Sequence, residues 1–230
     1  MEEAVSNMKQ RDIGTLCGQE GRRKREKMER WDSGEILLPA SAFLPTSIQS
    51  AKKKDGNFIL LDANWSKAYV KGGKRVKSPR LMAIWLPLQK NKKWLYLINV
   101  HFPDGGKLKS EKDAFWGDFE TCVSKADESD IMVIVGDFNA SMGVSTSDYD
   151  LVCGNEGTPH QNENGRRLKS FAGMQDLVDL VSWEKQNLPA THYDIRTRAG
   201  RQLDRVLMRQ SDRDMVLTCS NVTMLVDSDH

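Results

Sequence analysis

Hydrophobic and polar positions change in short blocks along the chain, and the most regular block lies at residues 131–135. It consists of five consecutive apolar residues, four of them β-branched, which is typical of a strand buried on both faces. Gly136 ends the run and lets the backbone turn without strain. Asp137 and Asn139 follow at the carboxyl end of the strand, where ligands collect in α/β folds. An Asx turn explains the same two residues, so this stretch alone leaves both interpretations open.

The remaining pattern predicts strands interleaved with helices in a single domain that covers residues 1–230. Helical spacing is found at 1–11, 109–125 and 166–174, and short apolar runs predict strands at 12–18, 58–61, 80–88, 94–101, 177–182, 191–196, 203–208 and 221–225. The basic turn after residue 88 favours an antiparallel hairpin, and the order strand, helix, strand from 94 to 135 predicts a crossover unit. Segment 64–73 is interpreted as a loop or short edge strand, and 141–164 as a long functional loop.

Composition adds limits to this picture. With 230 residues, 39% of them hydrophobic, the chain can bury a sizeable core. A formal net charge of +2 makes no strong case for a polyanion partner, although basic residues cluster at 22–27, 52–54, 71–80 and 90–93. The four cysteines are far apart, which predicts neither a zinc site nor a disulfide framework. No apolar run approaches the ~20 residues of a membrane span, so we expect no membrane partner and an intracellular location, nuclear or cytoplasmic.

Polar side chains stand at the ends of several predicted strands. Each has an ordinary explanation, because an aspartate can bond a neighbouring backbone and a lone histidine is more often packed than catalytic. A set of carboxylates, an amide and imidazoles, with no serine or cysteine nucleophile motif, is nevertheless what metal-assisted attack of water on a phosphate ester needs. The set comprises Glu20, His101, Asp137, Asn139, Thr191, His192, Asp204, Asp229 and His230.

Five short motifs, in this order, resemble those of the endonuclease/exonuclease/phosphatase superfamily. They are Gln19-Glu20, Asn99-Val100-His101, Gly136-Asp137-Phe138-Asn139-Ala140, Leu203-Asp204-Arg205-Val206-Leu207 and Ser228-Asp229-His230. Segment 162–168, with Ala190-Thr191 after it, is similar to the endonuclease domains of non-LTR (LINE-type) retrotransposons. The resemblance implies an α/β fold, a four-layer α/β sandwich of two mixed β-sheets flanked by helices, as in deoxyribonuclease I. It also implies a divalent cation, Mg²⁺ or Mn²⁺.

The resemblance implies catalytic roles for five residues. Asp137 would orient or deprotonate the attacking water, and Asn139 would donate a hydrogen bond to the scissile phosphate. Asp204 would hold the ring of His230, which would stabilise the transition state or act as acid and base. His101, if protonated, could donate to the leaving oxygen.

Metal and substrate contacts also follow from the resemblance. Glu20 would hold the cation, and Asp229 would lie in its shell. Arg80 resembles the superfamily's phosphate-contacting arginine, and Thr191 its active-site threonine. The basic runs would then contact substrate phosphates beside the active-site cleft.

These observations favour a Mg²⁺-dependent DNA endonuclease of retrotransposon type, with DNA as partner and a reverse transcriptase domain as a candidate neighbour in a longer parent protein. The alternatives are another phosphoesterase of the superfamily, such as a phosphoinositide phosphatase or sphingomyelinase, and an inactive remnant that binds nucleic acid. The superfamily's first and last strands have no counterpart before Gln19 or after His230. We therefore expect ends that look clipped, with weak stability and little activity. The oligomeric state is left open.

Overall fold

The computed structural model describes residues 2–19, 28–39, 56–72, 74–88, 93–145, 147, 149–185, 190–194 and 197–220. The helices in these ranges are α1 (Glu2–Gln10), α2 (Ala63–Gly72), α3 (Lys109–Val123) and α4 (Glu163–Met174). The strands are β1 (Thr15–Gly18), β2 (Glu29–Arg30), β3 (Ile36–Pro39), β4 (Phe58–Leu61), β5 (Lys74–Lys77), β6 (Leu81–Pro87), β7 (Trp94–His101), β8 (Ile131–Asp137), β9 (Leu177–Asp179), β10 (His192–Tyr193), β11 (Gly200–Arg201) and β12 (Asp204–Arg209). Short 3₁₀ helices cover Leu180–Ser182 and Gln210–Met215. None of the described helices is long and apolar enough to cross a membrane.

Most predicted elements are present. Strand β7 has the predicted bounds, β6 pairs with it in antiparallel register as the expected hairpin, and the order strand, helix, strand is found in β7, α3 and β8. The predicted strand 177–182 is shorter, because Leu180–Ser182 turns into a 3₁₀ helix. The predicted strand 221–225 lies outside the described residues.

The interpretation of segment 64–73 as a loop or edge strand is wrong, because this segment forms α2. Asp62 starts the helix: its Oδ1 accepts a hydrogen bond of 2.7 Å from the backbone N–H of Trp65, and its carbonyl accepts one of 2.9 Å from Ser66. A capping aspartate of this kind satisfies N–H groups that the first helical turn leaves open. Tyr69 and Val70 are residues common in strands, and they obscured the helical spacing.

The chain divides into two compact units, each built from two stretches of sequence. The first comprises Met1–His101 with Trp116–Asp130, and the second comprises Phe102–Phe115 with Ile131–His230. The single domain over residues 1–230 stays a prediction.

The first unit contains a four-stranded sheet in the order β1-β4-β3-β2, whose neighbours are all antiparallel. Helix α1 packs on it through Val5 and Met8, which join Leu37 and Leu60 in one buried cluster. These side chains are at most 5% exposed, so the cluster fixes the helix on the sheet. Strands β5, β6 and β7 follow one another as antiparallel neighbours in the same unit.

In the second unit β12 lies between β8 and β9 and is antiparallel to both. A separate two-stranded ribbon joins β10 and β11. The prediction that β8 is buried on both faces holds in part: Met132 and Ile134 are buried on one face, whereas Val133 and Val135 on the other face are half-buried between the buried Ile131 and Asp137. That less covered face is the one on which Asp137 lies, because side chains two residues apart share a face of a strand.

The long segment 141–164 is tied to its surroundings by specific hydrogen bonds. Asp150 accepts bonds of 3.1 and 3.0 Å from the N–H groups of Val152 and Cys153, and its other oxygen lies 2.5 Å from Nζ of Lys169 in α4. The backbone N–H of Gly154 donates to the hydroxyl of Ser182 at 2.8 Å. A segment held at these points can present residues at fixed positions, as the functional loop predicted from sequence must.

The four cysteines are free thiols, in agreement with their spacing. Cys153 is fully buried, and this burial, reinforced by the charge of Asp179, raises its pKa to about 12. At pH 8 only about one such thiol in 10⁴ is ionised, against roughly a quarter for an ordinary cysteine of pKa ~8.5. We therefore expect Cys153 to resist alkylation by iodoacetamide at pH 8 in the folded protein and to react in denaturant, as measured by mass spectrometry of its peptide. Rapid labelling of the folded protein at Cys153 would contradict this.

Candidate active site

Two aspartates lie directly opposite each other where β8 ends and β12 begins. Asp204 is the register partner of Asp137 in this antiparallel pair. Directly opposed residues share one face of the sheet, with Cβ atoms about 4.5–5.5 Å apart. Two like charges at this distance destabilise a fold, so a pair of this kind at strand ends, with Asp137 buried and Asp204 half-buried, marks a candidate for chemistry.

The turn after β8 aims Asn139 back toward Asp137. Asn139 has φ = +45°, in the left-handed region that asparagine tolerates better than most residues. Its backbone N–H donates to Oδ1 of Asp137 at 2.7 Å, and its Nδ2 donates to the Phe102 carbonyl at 2.9 Å and more weakly to Oδ2 of Asp137 at 3.4 Å. The two interpretations of the sequence are thus compatible, because an Asx turn is what builds the site.

Thr191 lies beside Asp204. Its Oγ1 accepts hydrogen bonds of 3.0 and 3.1 Å from the backbone N–H groups of Leu203 and Asp204. Since both lone pairs of the hydroxyl oxygen are used, the hydroxyl can act further only as a donor.

Three further side chains, which were not predicted as site residues, support the turn after β8 through hydrogen bonds to its backbone. Nδ2 of Asn162 and Nδ2 of Asn164 donate to the Asn139 carbonyl at 3.0 and 3.2 Å. Nε of Arg205 donates to the next carbonyl, that of Ala140, at 3.0 Å. Asn162 is the N-cap of α4. It begins segment 162–168, whose similarity to retrotransposon endonucleases is noted above, but no role was predicted for it from the sequence.

In the first unit a buried amide ties three strand ends together. Asn99 of β7 donates from Nδ2 to the carbonyls of Gly18 and Phe58 at 3.1 and 2.9 Å. Its Oδ1 accepts a hydrogen bond of 2.7 Å from Nε2 of Gln19. The motif residues Gln19 and Asn99 therefore lie in direct contact, and the carboxylate predicted to hold metal is the next residue in sequence.

Arg80 and His101 are also brought together in the first unit. The backbone N–H of His101 donates to the Arg80 carbonyl at 2.8 Å, and Nη1 of Arg80 donates to the His101 carbonyl at 3.4 Å. His101 is buried, with 7% of its surface exposed. The second unit brings together Asp137, Asn139, Thr191 and Asp204, and the remaining predicted site residues Glu20, Asp229 and His230 lie outside the described residues.

The donor chemistry fits a hard divalent cation. Carboxylate oxygens such as those of Asp137 and Asp204 are what Mg²⁺ prefers. The described part of the chain does not by itself place three or more His, Cys, Asp or Glu side chains around one point, and both predicted metal ligands, Glu20 and Asp229, fall outside it.

Comparison with known proteins gives a consistent result at the level of structure. No protein-family model matches the chain, and no curated protein matches it by sequence. The endonuclease domain of TRAS1, a telomere-specific non-LTR retrotransposon, superposes with a TM-score of 0.59 at 13% identity over 93% of this chain and 80% of that one. The AP endonuclease LMAP from Leishmania major gives a TM-score of 0.63 at 14% identity, over 98% of this chain and 78% of its own. A 3′ phosphatase from Neisseria, NExo, bound to a product DNA hairpin, gives 0.54 at 16% identity, covering 90% and 81% of the two chains.

A protein described as a member of the endonuclease/exonuclease/phosphatase family, from Leptotrichia buccalis, also superposes, with a TM-score of 0.55. The motifs quoted from the sequence thus anticipated the proteins that this chain is similar to in three dimensions, and the predicted α/β fold class is confirmed. The chain has a deoxyribonuclease I-like fold, which it shares with these proteins.

Proposed function

We propose that this protein is a Mg²⁺-dependent DNA endonuclease of retrotransposon type that hydrolyses a phosphodiester bond. The observation that carries the proposal is the direct opposition of Asp137 and Asp204, with Asn139 held beside them in a left-handed turn. The similarity to the TRAS1 endonuclease domain and to two further DNA-related enzymes supports it.

Each described side chain has a role that suits phosphoryl transfer, which asks a protein mainly for positioning and charge neutralisation. Asp137 orients the attacking water and takes its proton. Asn139 donates an N–H to the scissile phosphate by exchanging its long 3.4 Å bond to Asp137, while the bond to the Phe102 carbonyl keeps the amide in place. Thr191 adds a second donor through its hydroxyl proton.

The cation and the remaining groups complete this assignment. A bound Mg²⁺ supplies charge neutralisation at the phosphate oxygens and polarises the phosphorus. Glu20 and Asp229 would hold it, and the Asp137–Asp204 pair adds negative charge that favours a cation. The resemblance alone assigns Asp204 to the ring of His230.

His101 and Arg80 also belong to the proposed reaction. The resemblance assigns His101 to the leaving oxygen and Arg80 to a phosphate. Both residues are cations or potential cations, so both suit a reaction in which negative charge develops.

Plasmid nicking tests the proposal. With Mg²⁺ the purified chain is expected to convert supercoiled DNA to open circles, at the low rate expected from the sequence. Excess chelator should stop the reaction, and Mg²⁺ added back should restore it, because the charge on the phosphate is then neutralised again. Phosphate release from phosphoinositide or sphingomyelin head groups without nicking would indicate another phosphoesterase instead. DNA binding without any cleavage would indicate an inactive remnant.

We further propose that the protein acts on nuclear or cytoplasmic DNA and that a reverse transcriptase domain belongs to the same parent protein. The similarity of segment 162–168 to retrotransposon endonucleases supports this, as does the TRAS1 superposition. The coding sequence that follows this chain in its genome is the test. The absence there of any reverse transcriptase reading frame in all copies would contradict it.

A further inference from the structure

We infer that the first turn of α4 is a positioning clamp for the catalytic turn: Asn162 and Asn164 fix the backbone of Asn139 and thereby aim its side-chain amide at the phosphate. The inference rests on the proposed function, because it concerns the same site. Asn162 and Asn164 are positioning residues, since they act on Asn139 rather than on substrate.

Both asparagine side chains of the clamp donate to the same carbonyl group. The Asn139 carbonyl accepts from Nδ2 of Asn162 at 3.0 Å and from Nδ2 of Asn164 at 3.2 Å, which uses both of its lone pairs. Asn164 is buried and its Nδ2 also donates to the Pro103 carbonyl at 3.2 Å, so its amide is itself held in place. Rotation of the peptide bond after Asn139 would break both hydrogen bonds to its carbonyl at once.

The side-chain oxygen and nitrogen of Asn162 make hydrogen bonds with two different functions. Its Oδ1 accepts from the N–H of Gly165 at 2.7 Å, which caps α4, and from the N–H of Ser141 at 3.2 Å. Its Nδ2, and not its Oδ1, bonds the Asn139 carbonyl. The capping task and the clamping task can therefore be separated chemically, because one needs only an acceptor and the other only a donor.

Close packing makes the contact between helix and turn rigid. A Cβ on Gly165 would lie 1.8 Å from the Ser141 carbonyl oxygen, so the helix backbone touches the turn directly. The N–H of Asn162 also donates to that oxygen, at 3.1 Å. The turn is thus held against α4 by backbone contacts as well as by the two asparagine side chains.

The conformation of Asn139 explains why a clamp is needed. A φ of +45° is sparsely populated by residues other than glycine and persists where surrounding contacts enforce it. If the carbonyl of Asn139 were released, the peptide group after Asn139 would be free to rotate and the side chain on the same residue would lose its fixed position. A misplacement of about 1 Å in a catalytic group can cost up to about 10²-fold in rate.

The decisive variant is Asn162→Asp. Aspartate is as good an N-cap as asparagine and keeps the acceptor for Gly165, but it turns a carboxylate oxygen toward the Asn139 carbonyl. We expect an unfolding temperature close to that of the wild type, a kcat for nicking lowered by about tenfold or more, and a KM that changes little. The matched control is Asn155→Asp, the same chemical change at an exposed position of the same segment, which should nick normally.

A second readout does not depend on nicking. Hydrogen exchange over residues 136–141 of the whole chain reports the turn directly, because the N–H of Asn139 is bonded to Asp137. This exchange should be about tenfold faster in Asn162→Asp and unchanged in Asn155→Asp. Asn162→Ser, which can cap but cannot reach the carbonyl, should behave like Asn162→Asp if the carboxylate variant folds poorly.

The possible outcomes test the clamp and the proposed function separately. Faster exchange with a lowered kcat supports the inference, whereas unchanged exchange overturns it. Faster exchange with normal nicking also overturns it, because the turn would then be loosened without consequence for the reaction. If the wild type cuts no DNA, the proposed function fails, and the exchange measurement alone decides whether α4 fixes the turn.

Discussion

Replacing Asp137 by asparagine is expected to lower Mg²⁺-dependent nicking by about 10²-fold or more. The variant loses the proposed base for the proton of the attacking water. It keeps an Oδ1 that can accept the 2.7 Å hydrogen bond from the backbone of Asn139, so the turn should persist. The initial rate of open-circle formation, compared with that of the wild type at equal concentration, gives the effect.

The same substitution should leave stability unchanged or slightly increase it. Asp137 lies directly opposite Asp204, and like charges in that position are destabilising. A lower rate with an equal or higher unfolding temperature is typical of a residue kept for function at some cost to the fold. Asp118→Asn, an exposed position on α3, is the matched control and should alter neither quantity. Near-normal nicking by Asp137→Asn would remove this residue from the mechanism, and a marked loss of stability would give it a structural role.

The fold was predictable from sequence wherever one local pattern dominated. The apolar runs of β7 and β8 both identified strands, because each is a short and largely buried segment rich in residues that favour strands. Helix α2 was missed because its start depends on one capping side chain, that of Asp62, and because Tyr69 and Val70 are residues common in strands.

The site was predictable in its residue types but not in its support. Asp137 and Asn139 lie at the carboxyl end of the apolar run of β8, and Asp204 lies near the start of a predicted strand. Both are local features, and the structure brings the three residues together. Asn162 and Arg205 reach the same turn from 23 and 65 residues away. Both residues lie within motifs that were quoted for the resemblance, but such contacts depend on how distant elements pack, so the role of these residues in holding the turn emerged only from the structure.

The second large effect is expected on replacing Arg205, which should lower the free energy of unfolding. It forms a buried ion pair with Asp179 in which the two side chains are only 1% and 0% exposed. It also donates from Nε to the Ala140 carbonyl at 3.0 Å and from Nη2 to the Gln202 carbonyl at 3.1 Å. The guanidinium thus joins β12, the end of β9 and the turn after β8. Removing one partner of such a pair leaves an isolated buried charge, which typically costs about 3–5 kcal/mol.

We therefore expect Arg205→Met to lose about 3–5 kcal/mol of the free energy of unfolding, out of the ~5–15 kcal/mol typical of a domain. The double variant Asp179→Leu with Arg205→Met should be more stable than Arg205→Met alone, because it leaves no unpaired charge. Urea denaturation of the three proteins at pH 7 measures both quantities. A double variant no more stable than Arg205→Met would show that the hydrogen bonds to Ala140 and Gln202, rather than the charge pair, account for the loss.

The pH dependence gives an independent check on the isolated charge. Burial raises the pKa of Asp179 and Arg205 opposes that rise, so in Arg205→Met the pKa of this carboxyl group increases further. The folded variant then binds a proton that the unfolded chain has released, and its stability falls as pH rises from about 4, the unfolded pKa, through the folded pKa. The deficit of Arg205→Met relative to the wild type should accordingly be smaller at pH 4–5 than at pH 7, whereas the double variant, which has no carboxyl group at position 179, should show no such dependence. A deficit that is constant over this range would mean that Asp179 stays charged without its partner, contrary to the burial seen in the structure.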